Sequence, residues 1–112
     1  MAKKTDNKIN KAIKEKVLRF GRVLEQQGIP VNKLVIFGSH AKNKATRHSD
    51  IDVCVVSSKF GKDNLGEMQF LFKQTSKVDA KIEPIPASPK EYNQLESPLM
   101  WEIRKYGREI KI

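Results

Sequence analysis

The chain has 112 residues, 38% of them apolar and 31% charged, with a net charge of +9 at pH 7. That allows one domain of ordinary size with one core. It excludes a membrane-spanning helix, which needs roughly 20 consecutive apolar residues, and, because Cys54 is the only cysteine, an internal disulfide or a cysteine-built metal site. The start is polar and lysine-rich, without the apolar stretch of a secretory signal; with the lone cysteine this suits a reducing cytoplasm. Cys54 lies inside an apolar run and reads as a small core residue.

Much of the positive excess sits early: Lys3, Lys4, Lys8, Lys11, Lys14, Lys16, Arg19 and Arg22, against Asp6 and Glu15. Such a surface attracts polyanions, whether nucleotides, RNA or an acidic partner. The plain alternative is a solvated helix face, since the lysines are not interleaved with aromatics as in a nucleic-acid stacking platform.

Ile9, Ile13, Val17, Phe20 and Leu24 recur at helical steps, which predicts an amphipathic helix capped by Asp6 or Asn7 and stopped by Gly28 and Pro30. Leu34 to Phe37 is a short apolar run ending at Gly38, consistent with a buried strand. Residues 39–48 are small, polar and basic and read as a loop with a helical turn. Ile51 to Val56 is a second strand, rich in β-branched residues.

Asn64 to Ser76 reads as a helix with Leu65, Met68, Leu71 and Phe72 on one side. Val78 to Glu83 alternates strictly, which predicts a third strand with one charged face, ended by Pro84 and Pro86. Ser88-Pro89 and Ser97-Pro98 each place a capping serine before a first-turn proline, so two more helices start there. Leu99, Met100, Ile103 and Tyr106 are expected to face the core from the second. Trp101 and Met100 cannot both do so, which leaves one for a dimer or partner contact. Glu109 to Ile112 reads as a last edge strand. The sum is an α+β fold, a small mixed sheet with helices packed on one face.

Three features carry the chemistry. Gly38-Ser39 follows a buried strand: glycine lets backbone approach a phosphate, and the Ser39 hydroxyl adds a donor. The pair is also an ordinary turn. Asp50 and Asp52 stand two apart at the head of a strand, so they share a face and repel; a hard divalent cation resolves that. The alternative is a capping Asp50 and a solvent-facing Asp52. Asp79 lies on the charged face of the predicted third strand and can join them, with Glu83, further along the same face, as the second choice. Three carboxylates can hold two Mg²⁺ ions about 4 Å apart for in-line nucleotidyl displacement. Asp79 can also take the proton of the attacking hydroxyl.

The joint pattern resembles a known family. Leu34-Val35-Ile36-Phe37-Gly38-Ser39-His40-Ala41 followed by Ser49-Asp50-Ile51-Asp52-Val53 is similar to the signature of the DNA polymerase beta-like nucleotidyltransferases, and more closely to their minimal branch. Lys77 to Ile82 resembles the third-carboxylate strand, which puts Asp79 in that role. The resemblance implies a nucleotidyltransferase fold in a single domain over residues 1–112. It implies catalysis and metal binding by Asp50, Asp52 and Asp79, nucleotide contacts from Gly38, Ser39, Lys42 and Ser49, and Mg²⁺ or Mn²⁺ as cofactor. It also implies transfer of AMP from ATP to a hydroxyl.

The same branch implies a HEPN-type helical partner protein in a toxin–antitoxin pair. One alternative reading is a catalytically weak module that binds nucleotide and partner and acts as an antitoxin. Another is a nucleic-acid binder driven by the basic first helix. Where the family loop carries arginines and a glycine, this chain has His40-Ala41-Lys42-Asn43. Lysine keeps the charge but loses the bidentate grip on phosphate, and asparagine tolerates the positive φ that the glycine would supply. His40 and His48 flank the site and read as polar loop residues.

Overall fold

A computed structural model describes residues 9–112. Asp6 and Asn7, expected as caps, lie outside the described residues. Helix α1 spans Lys11–Gln26, and its cap is Asn10, whose side-chain oxygen accepts the Ala12 amide at 2.8 Å. Ile9 precedes the helix but is buried with Val17, Phe20 and Leu24, so the apolar stripe forms as expected. Gly21 lies on the same side, where a side chain would collide with Leu34, so α1 sits close against the first strand.

Strand β1 is Lys33–Phe37 and β2 is Ile51–Val56, paired antiparallel with Phe37 opposite Asp52. Helix α2 (Asn64–Thr75) carries the chain over to β3 (Ile82–Ala87), which lies parallel to β2. After the short α3 (Pro89–Tyr92) and α4 (Pro98–Tyr106), β4 (Arg108–Ile110) pairs antiparallel with β1. The order across the sheet is β3-β2-β1-β4, a mixed sheet in an α+β fold.

Alternation along the strands gives two apolar layers. Leu34, Ile36, Ile51, Val53, Val55, Ile82 and Ile110 pack with α1 and Leu71 of α2. Val35, Cys54, Val56 and Ala87 pack with Tyr92, Met100 and Ile103 on the other side. Helices on one face therefore describes α1 and α2; the shorter α3 and α4 cover part of the second face. Both Ser-Pro starts form as expected, with Ser88 and Ser97 accepting the amides of Glu91 and Met100. Met100 is buried, while Trp101 is 48% exposed.

Leu99, expected to face the core, is instead 49% exposed, and two larger expectations need correction. The third strand begins at Ile82, not Val78. The amides of Lys77, Val78 and Asp79 bond back to Gln74 and Thr75 and close the end of α2, so residues 77–79 are used as a turn. Pro84 and Pro86 lie inside the strand rather than ending it. Lys81 and Ala87 turn their carbonyls toward β2, where Ile51 and Ser57 donate to them. The intervening prolines therefore face the open edge, where a missing N–H costs no ladder bond and discourages edge pairing. The second correction is the buried side of α2. Leu71, Gln74 and Thr75 are buried, while Leu65 and Phe72 are 69% and 46% exposed. That face meets α1 and β3, and a purely apolar reading skips Gln74 and Thr75.

Candidate active site

At the end of β1 the chain turns sharply. Gly38 has φ 73°, and a Cβ there would overlap the carboxylate of Asp52 on the neighbouring strand. Only glycine lets Asp52 lie against that turn. A helical turn follows: the Ala41 amide donates to the Gly38 carbonyl at 3.1 Å, and Lys44 donates to Ser39 at 3.0 Å. Asn43 takes φ 58°, the positive value for which asparagine stands in for glycine.

The loop is held from two sides. The Lys81 ammonium donates to the Arg47 carbonyl at 2.6 Å, and Arg108 of β4 donates from Nε to the Ala41 carbonyl at 3.1 Å. Nothing in the sequence singled out either residue. Ser49 accepts the Thr46 amide at 2.9 Å and closes a second small turn just before Asp50.

Asp50 precedes β2, and Asp52 is its second residue, between the buried Ile51 and Val53. Across the parallel pair, Glu83 is the register partner of Asp52. A side-chain hydrogen bond with Asp50 does most to hold the Glu83 carboxyl above its ordinary range, followed by a slight desolvation, Glu83 itself being exposed, and the charges of Asp50 and Asp52. Burial first, then the charge of Asp50, raises Asp52, with His40 acting the opposite way. The three carboxyl groups thus feel one another; Asp52 and Glu83 hold a proton more tightly for it, and a cation would relieve the crowding.

Asp79 is elsewhere. It lies in the turn after α2, accepts the Lys81 amide at 2.8 Å and pairs with Lys16 of α1 at 2.7 Å. Those bonds, the Lys16 contact first, hold its carboxyl below the usual range. The structure therefore brings together Asp50, Asp52 and Glu83 and leaves Asp79 tying α1 to the turn. The shift follows from the strand boundary: with β3 starting at Ile82, the residue opposite Asp52 is Glu83.

Of the remaining expected residues, Gly38 and Ser39 form the turn beside Asp52, with Ser39 exposed. Lys42 extends along α4, with its ammonium 4.0 Å from Glu102 and 5.2 Å from the Tyr106 ring centre. His40 is half-buried, and its Nε2 has no hydrogen-bond partner among the described residues. A cleft of about 660 Å³ opens between α1 and the loop, lined by Asn10, Ile13, Lys16, His40, Asn43 and Thr46 among others.

Among the described residues, no three His, Cys, Asp or Glu side chains are already gathered into a metal cage. The chemistry of Asp50, Asp52 and Glu83 nevertheless fits a hard divalent cation, since all three offer carboxylate oxygens and a cation would offset the mutual repulsion that raises Asp52 and Glu83.

The chain matches 41% of 49 residues in a candidate protein adenylyltransferase from Methanocaldococcus jannaschii, a stretch covering 44% of this chain and 37% of that protein. The chain thus spans well under half of that relative. A crystal structure of a candidate nucleotidyltransferase from Sulfolobus solfataricus shares the fold, with a TM-score of 0.54 at 18% identity over 76% of this chain and 78% of that one. The family model for the nucleotidyltransferase domain matches residues 7–109, nearly the whole length, so this chain belongs to the nucleotidyltransferase domain family.

Proposed function

We propose that this chain, acting as one catalytic unit, transfers AMP from ATP to a hydroxyl group, with Asp50, Asp52 and Glu83 holding Mg²⁺, or Mn²⁺ in its place. The observation that carries this is the crowding of three carboxyl groups beside the Gly38 turn, which raises two of them. The bound cation would neutralise charge on the triphosphate and acidify the attacking hydroxyl. The protein's own part is mostly placement. Gly38 and Ser39 offer backbone and a hydroxyl to the phosphates, and the half-buried Asp52 is fixed by its strand. Glu83, whose proton affinity is already raised, takes the place foreseen for Asp79 and accepts the hydroxyl proton.

A protein acceptor fits the relative's name, a candidate protein adenylyltransferase; the family resemblance points further, to a hydroxyl on a HEPN-type helical partner of a toxin–antitoxin pair in the cytoplasm. Trp101, 48% exposed on α4, is available to such a partner or to a second copy of the chain. A second reading is a module that binds nucleotide and partner without turnover. It is favoured by Lys42 and Ser49, whose side chains are engaged with α4 and with Thr46 rather than left open for phosphate.

Incubation with α-labelled ATP, Mg²⁺ and a lysate of the source cells separates these readings. Label transfer that disappears in Asp50→Asn/Asp52→Asn supports the enzyme. Nucleotide binding without transfer supports the module. Absence of nucleotide binding with both Mg²⁺ and Mn²⁺ refutes the site.

A further inference from the structure

Arg108 is 7% exposed, yet among the described residues its side chain makes one hydrogen bond, from Nε to the Ala41 carbonyl at 3.1 Å. Among the described residues, the ion pairs join Lys16 to Asp79, Lys33 to Glu109 and Lys42 to Glu102; none includes Arg108. Most of Arg108 is buried while its terminal nitrogens still reach solvent, so the side chain is sequestered without a carboxylate partner, and replacing such a group with an apolar one is often close to neutral. Its place there is better explained by the bond it makes than by stability.

Ala41 is itself buried, and its amide is tied to Gly38. Its carbonyl belongs to the turn that begins at Gly38, and Lys42 and Lys44 donate within the same turn. Carbonyls near the end of a helical turn carry partial negative charge, and a cation there favours the helical form. Arg108 stands opposite Ile36 in the β1–β4 pair, so the sheet itself fixes where the guanidinium starts.

We infer that Arg108 is a positioning residue that holds the Gly38–Lys44 turn in the shape that receives the triphosphate and lends that turn an uncompensated positive charge. The inference rests on the nucleotidyl-transfer reading for its ligand, but not for the ordering of the turn. It acts through Ala41 and requires no contact with substrate.

The test uses Arg108→Met and Arg108→Lys in the full chain, with three measurements. Melting temperature should stay within a few degrees of wild type in Arg108→Met, because a charge without a carboxylate partner is lost. Amide hydrogen exchange at Lys42 and Lys44 should speed up at least tenfold in Arg108→Met, while amides of β1 and β2 stay protected. Affinity for ATP with Mg²⁺ should fall about tenfold in Arg108→Met and about threefold in Arg108→Lys, which keeps the charge but not the fixed Nε donor. If Arg108→Met fails to fold, Arg108→Lys decides on the same two loop amides. Wild-type exchange at Lys42 and Lys44 in a folded variant overturns the inference, as does unchanged ATP affinity. If wild type itself binds no ATP, the transfer reading fails, and the exchange data still judge the role of Arg108 in the turn.

Discussion

Asp52 carries opposing demands. Burial and the charge of Asp50 raise its carboxyl in the folded chain, and neither acts in the unfolded one. The folded state therefore binds the Asp52 proton more tightly, so this group lowers stability as pH rises from about 4 through the raised folded value. Asp52→Asn removes that slope. Urea unfolding at pH 4 and pH 7 is expected to show the variant gaining on wild type at the higher pH, while label transfer falls by on the order of 10³. Loss of stability at pH 7 would contradict this assignment. Asp79 has the opposite sign. Lys16 first, then the Lys81 amide, lowers its carboxyl, so its contribution is present at neutral pH and fades as pH falls through its low folded value. Asp79→Asn is expected to cost at most about 1 kcal/mol at pH 7, less in acid, and to leave transfer intact.

At the scale of elements, the pairing of β1 with β2 and the turn between them set the site. Gly38→Ala forces a side chain into φ 73° and into the space of the Asp52 carboxylate. The expected cost is about 1–3 kcal/mol, with a larger relative loss of metal-dependent nucleotide binding, read by calorimetry. This part of the site was legible in the sequence. The run from Leu34 to Gly38 and the Asp-x-Asp at the head of an apolar strand specify both strands and the face that Asp52 takes. Asn43 was legible too, because so few residues accept positive φ. Glu83 was only half legible. Strict alternation from Val78 looked like a strand, but α2 uses residues 77–79 to satisfy its last carbonyls, and this shifted the strand by four residues. Pro84 and Pro86 looked like terminators because edge position, which makes them tolerable, is a property of the sheet and not of the segment. Arg108 was not legible at all, since its partner is the carbonyl of Ala41, 67 residues away.

Across the whole molecule, the sheet is covered on one side by α1 and α2 and on part of the other by α3 and α4. The carboxylates sit at the strand ends beyond this second layer. Cys54 lies inside it, fully buried, with its thiol pushed up to about 12, by burial first and then by the charge of Glu91. A thiol reagent at pH 8 is therefore expected to leave the native chain unlabelled and to react only as urea unfolds it, in step with the fluorescence of Trp101. Labelling before that transition would mean that the second layer opens locally.

The proposal that Asp50, Asp52 and Glu83 act together is tested most directly by comparing Glu83→Gln with Asp79→Asn in transfer of label from α-labelled ATP with Mg²⁺. Transfer should vanish in Glu83→Gln and persist at wild-type rate in Asp79→Asn. Transfer that survives in Glu83→Gln and disappears in a folded Asp79→Asn would return the third carboxylate to the turn after α2 and contradict the account.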